Sequence, residues 1–313
     1  MSDWQDWIGR SEQRTDLVTS GLVARLRATI NSADIGEVAP QGIHWCLCLP
    51  DTATAQLGED GHPRRAGLPV GKAQESGRAG LPVGKAQESG RAGLPVGKAQ
   101  ESGRDIAGAF LPPIPLPRRM WASSKLAFHA PIAVGAAVAR TSTITAITEK
   151  AGSSGPLVFV TLVHETRCDG ALAVEEEQVL VYRGAGVAPV HSAVSQPCDW
   201  PHVRNLVPSE AMMFRYSALT FNAHRIHYDA PYAQRVEGYR GLVVHGPLSA
   251  TLLIDLAREI SSGAPLKSFE FRGVSPLFCG EPMTLVARRD ESAITLAALG
   301  PTDAVAMEAR AVF

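Results

Sequence analysis

Six polar side chains crowd into eight residues: Asn222, His224, Arg225, His227, Tyr228 and Asp229, with His245-Gly246-Pro247 following in the same stretch. An imidazole exchanges protons near neutral pH, so a histidine held in place can act as general acid or base. The start of a helix offers unpaired N–H groups and a partial positive charge, which stabilise an oxyanion as it develops. His245-Gly246-Pro247 reads as such a start. Proline suits a first helical turn, where its missing N–H would be unpaired anyway, and Leu248, Leu252, Leu253, Leu256 and Ile260 follow at helical spacing. Ser261-Ser262-Gly263-Ala264-Pro265 supplies the stop. The spacing predicts a helix of about fifteen residues, roughly 22 Å long. It is apolar on nearly every side until Asp255, the mark of a buried helix.

Such a helix needs a sheet curled around it. Downstream, Phe269 and Phe271 alternate with Glu270 and Arg272, and apolar-rich runs at 284–288, 294–298 and 305–313 are separated by turn residues. Upstream of the polar motif an approach strand is expected. The class is therefore α+β. The first half shows a similar order. Leu22, Val23, Leu26 and Ile30 mark an amphipathic helix within 14–31, and 43–49 reads as a short buried strand or its approach. Residues 110–121 are extended and proline-stiffened, ending in Arg118 and Arg119. Strands follow at 141–148, 157–163 and 171–182, with Glu175, Glu176 and Glu177 read as a solvated edge. Two copies of one small module, side by side, is the economical reading, joined by a Gly/Pro-rich linker at 186–204.

RAGLPVGKAQESG occurs three times in tandem, at 65–77, 78–90 and 91–103. Each copy is rich in glycine and offers only Leu and Val as sizeable apolar groups. That is too little to offset its ordering entropy, so the expectation is a disordered insertion. The 313 residues carry a formal net charge of −1, which gives no general attraction to nucleic acid or anionic membrane. The five cysteines are odd in number and scattered, as free thiols in a reducing compartment would be. The N-terminus lacks the pattern of a secretory signal, and the apolar run at 242–257 is too short for a membrane span. A soluble, cytoplasmic protein is expected. No metal triad, P-loop or dinucleotide fingerprint stands out, so no metal and no cofactor are expected.

FNAHRIHYD (221–229), followed by EGYRGLVVHGPLSA (237–250), resembles the MaoC-like, hot-dog-fold hydratases and dehydratases of enoyl thioesters. Their signature is an aspartate, then N-P-x-H, with a His-Gly before the central helix. Here Asn222 stands in place of the aspartate, His224 in place of asparagine and Arg225 in place of proline. His227 falls on the catalytic histidine, and His245-Gly246 on the oxyanion-hole turn. The fuller lettering FRYSALTFNAHRIHYD, with DGHP (60–63) and FLPPIPLPRRMWA (110–122) upstream, resembles a narrower branch. That branch holds mesaconyl-CoA (3-methylfumaryl-CoA) hydratases, itaconyl-CoA hydratases and hydroxyacyl-thioester dehydratases type 2.

The resemblance implies a double hot-dog. Residues 1–185 would form a degenerate N-terminal module carrying the 65–103 insertion, and 205–313 the catalytic module. It also implies reversible hydration of an acyl-CoA, a small-molecule partner; a homo-oligomer is left open. Since an amide cannot take a proton, Asn222 would position the water while His227 moves the protons; alternatively Asn222 only caps its loop. His224 or Asp229 could replace the missing carboxylate, or Asp229 could cap a short helix at 230–236. Gly246 would donate its N–H to the thioester oxygen, or be required only for close packing at the helix start. Arg118, Arg119, Arg225 and Arg240, with His224 and His245 beside them, are the candidate substrate binders, Arg225 being preferred for a distal carboxylate. The leading expectation is hydration of a branched dicarboxylic acyl-CoA, such as mesaconyl-CoA to citramalyl-CoA. Dehydration of (3R)-hydroxyacyl thioesters of fatty chains, a thioesterase, and a non-catalytic acyl-CoA-binding module are the alternatives.

Overall fold

The computed structural model describes residues 4–33, 36, 38–64, 110–152, 155–185 and 199–313. The tandem repeat and residues 186–198 of the expected linker lie outside the described residues. The first half runs β1 (Ser11–Leu17), α1 (Ser20–Ile30), β2 (Arg118–Phe128), β3 (Ala137–Gly152), β4 (Gly155–Cys168) and β5 (Ala171–Arg183). The second runs β6 (His202–Leu206), α2 (Glu210–Leu219), α3 (Ala230–Arg235), α4 (Gly246–Ile260), β7 (Ser268–Gly273), β8 (Met283–Arg289), β9 (Ala293–Leu299) and β10 (Val305–Val312).

All ten strands join one antiparallel sheet in the order β1-β3-β4-β5-β2-β7-β10-β9-β8-β6. Read outward from the β2–β7 seam, each half gives the same succession: its second strand, its fifth, its fourth, its third, and its first at the edge. The seam pairs Leu126 with Phe269 and Ser124 with Phe271. This is a double hot-dog. Only the second half, among the described residues, carries a long central helix. Leu248, Ala250, Leu252, Leu253, Ile254 and Leu256 of α4 are all buried, against Phe269, Leu285, Leu296 and Ala309 of the sheet. Asp255 sits at the half-buried edge, held by Arg204 and Ser32.

Four local expectations are corrected. Residues 14–17 pair with β3 as strand, and α1 begins only where the Thr19 hydroxyl accepts the N–H of Leu22. The expected approach strand before the polar motif is the helix α2, capped by Ser209 through the N–H of Met212; the local cap outweighs the aromatic content of the segment. Ile43–Cys46 is a buried 3-10 turn rather than a strand. Residues 202–204, assigned to the linker, pair with β8. The acidic triplet also differs from expectation: Glu176 points inward and is buried, while Glu175 and Glu177 are exposed.

Candidate active site

The 220–250 segment is a chain of turns, each closed by a named bond. After α2, Phe221 takes a left-handed backbone conformation, and the side-chain oxygen of Asn222 accepts the N–H of His224 at 2.9 Å. A 3-10 turn over Arg225–His227 follows. Asp229 caps α3 by accepting the N–H of Tyr232 at 3.0 Å. The segment then returns to lie beside residue 226, the N–H of Val243 reaching the Ile226 carbonyl at 2.9 Å, and enters α4 through His245. The expected 230–236 helix and its cap are thus present, and so is the fifteen-residue helix.

This closure sets the chemistry of His227. Its Nδ1 lies 2.7 Å from the Val243 carbonyl, which only accepts, so Nδ1 carries the proton and Nε2 keeps its lone pair. Burial pushes the imidazole down to about 4, with the Val243 bond opposing and the charge of His62 adding to the effect. At neutral pH it is therefore an uncharged base. Its ring stacks on His245 at 3.7 Å between centroids and 19° between planes, and His245 is the residue just ahead of α4. His245 is itself kept neutral, held well below its usual range first by burial and then by the charges of His227 and His224. Ser217 on α2 bonds to its Nε2 at 2.8 Å.

Gly246 opens α4, and among the described residues nothing accepts its N–H. A Cβ built on Gly246 meets no atom within 4 Å. Close packing therefore does not require glycine here, and open space lies in front of the helix start. Gly246→Ala is expected to leave the thermal midpoint unchanged or slightly raised, since alanine favours helix. Its kcat/KM for an enoyl thioester should fall about ten-fold, worth about 1.4 kcal/mol of lost transition-state contact; steady-state kinetics beside a melting curve checks both.

The structure also brings in a segment from the first half. Residues 58–63 form a tight turn laid on the 223–225 loop. The Asp60 carbonyl accepts the N–H of Arg225 at 2.9 Å, and the Glu59 carbonyl accepts its guanidinium at 2.9 Å. Gly61 has φ +86°, and a Cβ there would come 1.8 Å from the Ala223 carbonyl, so only glycine fits. The turn carries His62 onto His224, ring centroids 4.1 Å apart, and His224 meets His227 edge-on at 5.4 Å. Asp60 accepts the backbone N–H of His62 at 3.0 Å and bonds its ring Nδ1 at 3.1 Å. Donor atoms of Asp60, His62 and His224 lie within 4.8 Å of one another, a grouping not expected from the sequence. Because the Asp60 carboxylate and His62 Nδ1 are already bonded to each other, we read it as a dyad packed on an imidazole.

The arginines divide three to one. Arg225 pairs with Asp229 at 2.7 Å and lies over the Tyr232 ring, so the preferred carboxylate partner is committed to holding the loop. With one carboxylate oxygen on Tyr232 N–H and the other on Arg225, Asp229 is no substitute for the missing aspartate. Arg118 pairs with the buried Glu237, and Arg240 with Glu281. Among the described residues, Arg119 forms no ion pair. It lines a narrow crevice with Asp60, Met120, His224, Glu237 and Tyr239, and its charge contributes to lowering His224, after burial and the charges of His62 and His227. The Asn222 oxygen accepts the turn's N–H with one lone pair, and its –NH2 has no partner among the described residues.

A double hot-dog with a neutral histidine against a free helix N-terminus is the architecture of hot-dog hydratases and dehydratases. Residues 97–279 match the hydroxyacyl-thioester dehydratase type 2 family, and the chain belongs to that family. It is 39% identical to mesaconyl-C(4)-CoA hydratase of Chloroflexus aurantiacus, over 98% of this chain and 97% of the relative. Among solved structures it is similar to a MaoC-like dehydratase of Phytophthora capsici (TM-score 0.62, 13% identity, 98% and 95% of the two chains). It is similar also to a Mycobacterium tuberculosis protein described as having a double hotdog fold (TM-score 0.56, 13% identity, 97% and 96%). No helix among the described residues is long and apolar enough to cross a membrane.

Proposed function

We propose that the chain reversibly hydrates a branched dicarboxylic enoyl-CoA, mesaconyl-CoA (3-methylfumaryl-CoA) to citramalyl-CoA. The observation that carries this reading is the meeting of a neutral His227, its Nε2 lone pair free, with the helix whose first N–H has no protein acceptor. Nε2 takes a proton from water as oxygen bonds to the β-carbon. The thioester oxygen, gaining enolate character, is held by the Gly246 N–H and the dipole of α4. The α-carbon then receives a proton. In mesaconyl-CoA the β-carbon bears both a methyl and a carboxylate. Arg119, without an ion pair among the described residues and in a crevice beside His224, supports recognition of that carboxylate.

The full-length likeness to mesaconyl-C(4)-CoA hydratase favours this substrate over a fatty acyl chain. The decisive assay follows loss of enoyl absorbance with mesaconyl-, itaconyl- and crotonyl-CoA in parallel. Preference for mesaconyl-CoA is the expected result; equal rates on crotonyl-CoA would favour the fatty-acyl reading, and release of free thiol would mean thioester hydrolysis. In the same assay Arg119→Ala should lower kcat/KM for mesaconyl-CoA about 10²-fold, a charged hydrogen bond being worth about 1.5–3 kcal/mol. For crotonyl-CoA, which has no carboxylate, it should change by less than about three-fold. Equal losses on both would remove Arg119 from substrate choice.

A further inference from the structure

We propose that Asp60 and His62, on the 58–63 turn of the first half, supply the acid that position 222 cannot: they hold a proton beside His224 and deliver it to the substrate's α-carbon. The inference rests on the hydratase reading above and adds residues to it. Three observations carry it. The turn is built for one placement, since Gly61 is wedged against the Ala223 carbonyl and the backbone of Arg225 is bonded to Asp60. Asp60 bonds both the backbone and the ring of His62, fixing the imidazole's orientation against His224. The three rings of His62, His224 and His227 then form one packed series that ends on the N-cap of α4.

The charges agree with that division of labour. Burial raises the Asp60 carboxyl, but its bond to His62 and the charge of that imidazole bring it well below the usual range. Asp60 is therefore ionised and favours a proton on His62. His224 and His227 are both disfavoured as proton holders, by burial first and by His62 as well. Of the three packed rings, His62 is thus the one placed to hold the proton. The other charged or titratable groups facing the dyad are Arg118 and Arg119 from β2, Glu237 and Tyr239 beyond α3, and Tyr232 of α3, on which Asp60's charge acts. In hydration, neutral His227 takes one proton from water as the C–O bond forms. The electron pair of the double bond moves toward the α-carbon, which takes the proton held by His62. His227 then gives its proton to solvent and His62 takes one up from solvent, so both are restored and no other reactant is consumed.

The test is Asp60→Asn, which keeps an oxygen for the His62 N–H, and so keeps the turn, while losing the charge. Its kcat for mesaconyl-CoA should fall about 10²-fold with KM little changed, and the alkaline limb of the pH profile should move to lower pH. Asp60→Glu should recover part of the loss. A kcat within two-fold of wild type with an unmoved profile would overturn the proposal. So would loss of wild-type activity on chelation with recovery on adding zinc, which would make the cluster a metal site. Titration of the histidine ring nitrogens by NMR gives a readout independent of turnover. Of the four clustered rings, His62 should be the last to lose its proton as pH rises, and should lose it earlier in Asp60→Asn; any other order overturns the assignment. Absence of hydration by the wild type would count against the activity reading, and the NMR titration would still decide this one.

Discussion

His227→Asn should lower kcat by about 10³-fold, within the range for loss of a general acid–base group, and leave the fold intact. The choice of asparagine matters. Its amide N–H can occupy the position of Nδ1 and keep the 2.7 Å bond to the Val243 carbonyl that ties the 225–227 turn to the approach to α4. What disappears is Nε2 and its lone pair. KM should change little, since on the proposed reading the Gly246 N–H and Arg119, not His227, would hold the substrate. Alanine at the same place would also leave the Val243 carbonyl buried without its donor, at about 1–3 kcal/mol, and would mix the two effects. Wild-type kcat/KM supplies the complementary measurement. The base must be neutral to act, and burial holds its proton affinity down to about 4. Activity should therefore persist as pH falls through 6.5, where a free imidazole would protonate, and should decline only near pH 4. An acid limb centred near 6.5 would mean that a more exposed group is the base.

What the sequence disclosed about this site was its local part. His227, His245, Gly246 and the helix behind them are joined by hydrogen bonds within a single segment, and cap residues and apolar spacing report such bonds directly. The Arg225–Asp229 pair was equally local, four residues apart, and could have warned against Arg225 as a carboxylate binder. Arg118 and Arg240 find their partners in Glu237 and Glu281, at separations with no one-dimensional signature. Asp60 and His62 illustrate the same limit. DGHP is two polar residues around a glycine, followed by proline, and nothing in that lettering says it will dock on residue 223 of the other half. The helix α2 was missed for a different reason. Phe214, Tyr216 and Phe221 are aromatics of the kind strands favour, while the Ser209 cap that decides the matter lies several residues earlier.

Glu176→Ala should destabilise the protein by about 2–5 kcal/mol, since each of two buried donors left without its acceptor costs about 1–3 kcal/mol, with neighbouring glutamates as controls. Three consecutive glutamates occupy β5, but strand alternation sends only the middle one inward, toward the seam of the two halves. There it accepts the indole N–H of Trp45 at 3.1 Å and the hydroxyl of Ser124 at 2.6 Å, with His44 Nε2 at 3.7 Å. Trp45 in turn packs edge-on against Trp121 of β2 and Phe271 of β7, so the carboxylate anchors aromatic contacts that span the seam. Burial raises the Glu176 carboxyl, yet the nearby His44 and His164 rings and the Ser124 bond bring it below its ordinary value, so it is ionised at neutral pH. Truncation to alanine leaves an indole N–H and a hydroxyl without their acceptor, besides a cavity. Glu176→Gln keeps the volume and one oxygen and should cost less than half as much. Glu175→Ala, at an exposed position, should fall within about 0.5 kcal/mol of wild type. Glu177→Ala, losing an exposed pair with Lys125, should cost at most about 1 kcal/mol. Urea denaturation of the four variants tests the ordering, and similar midpoints for Glu175→Ala and Glu176→Ala would show that the inward carboxylate does not hold the seam.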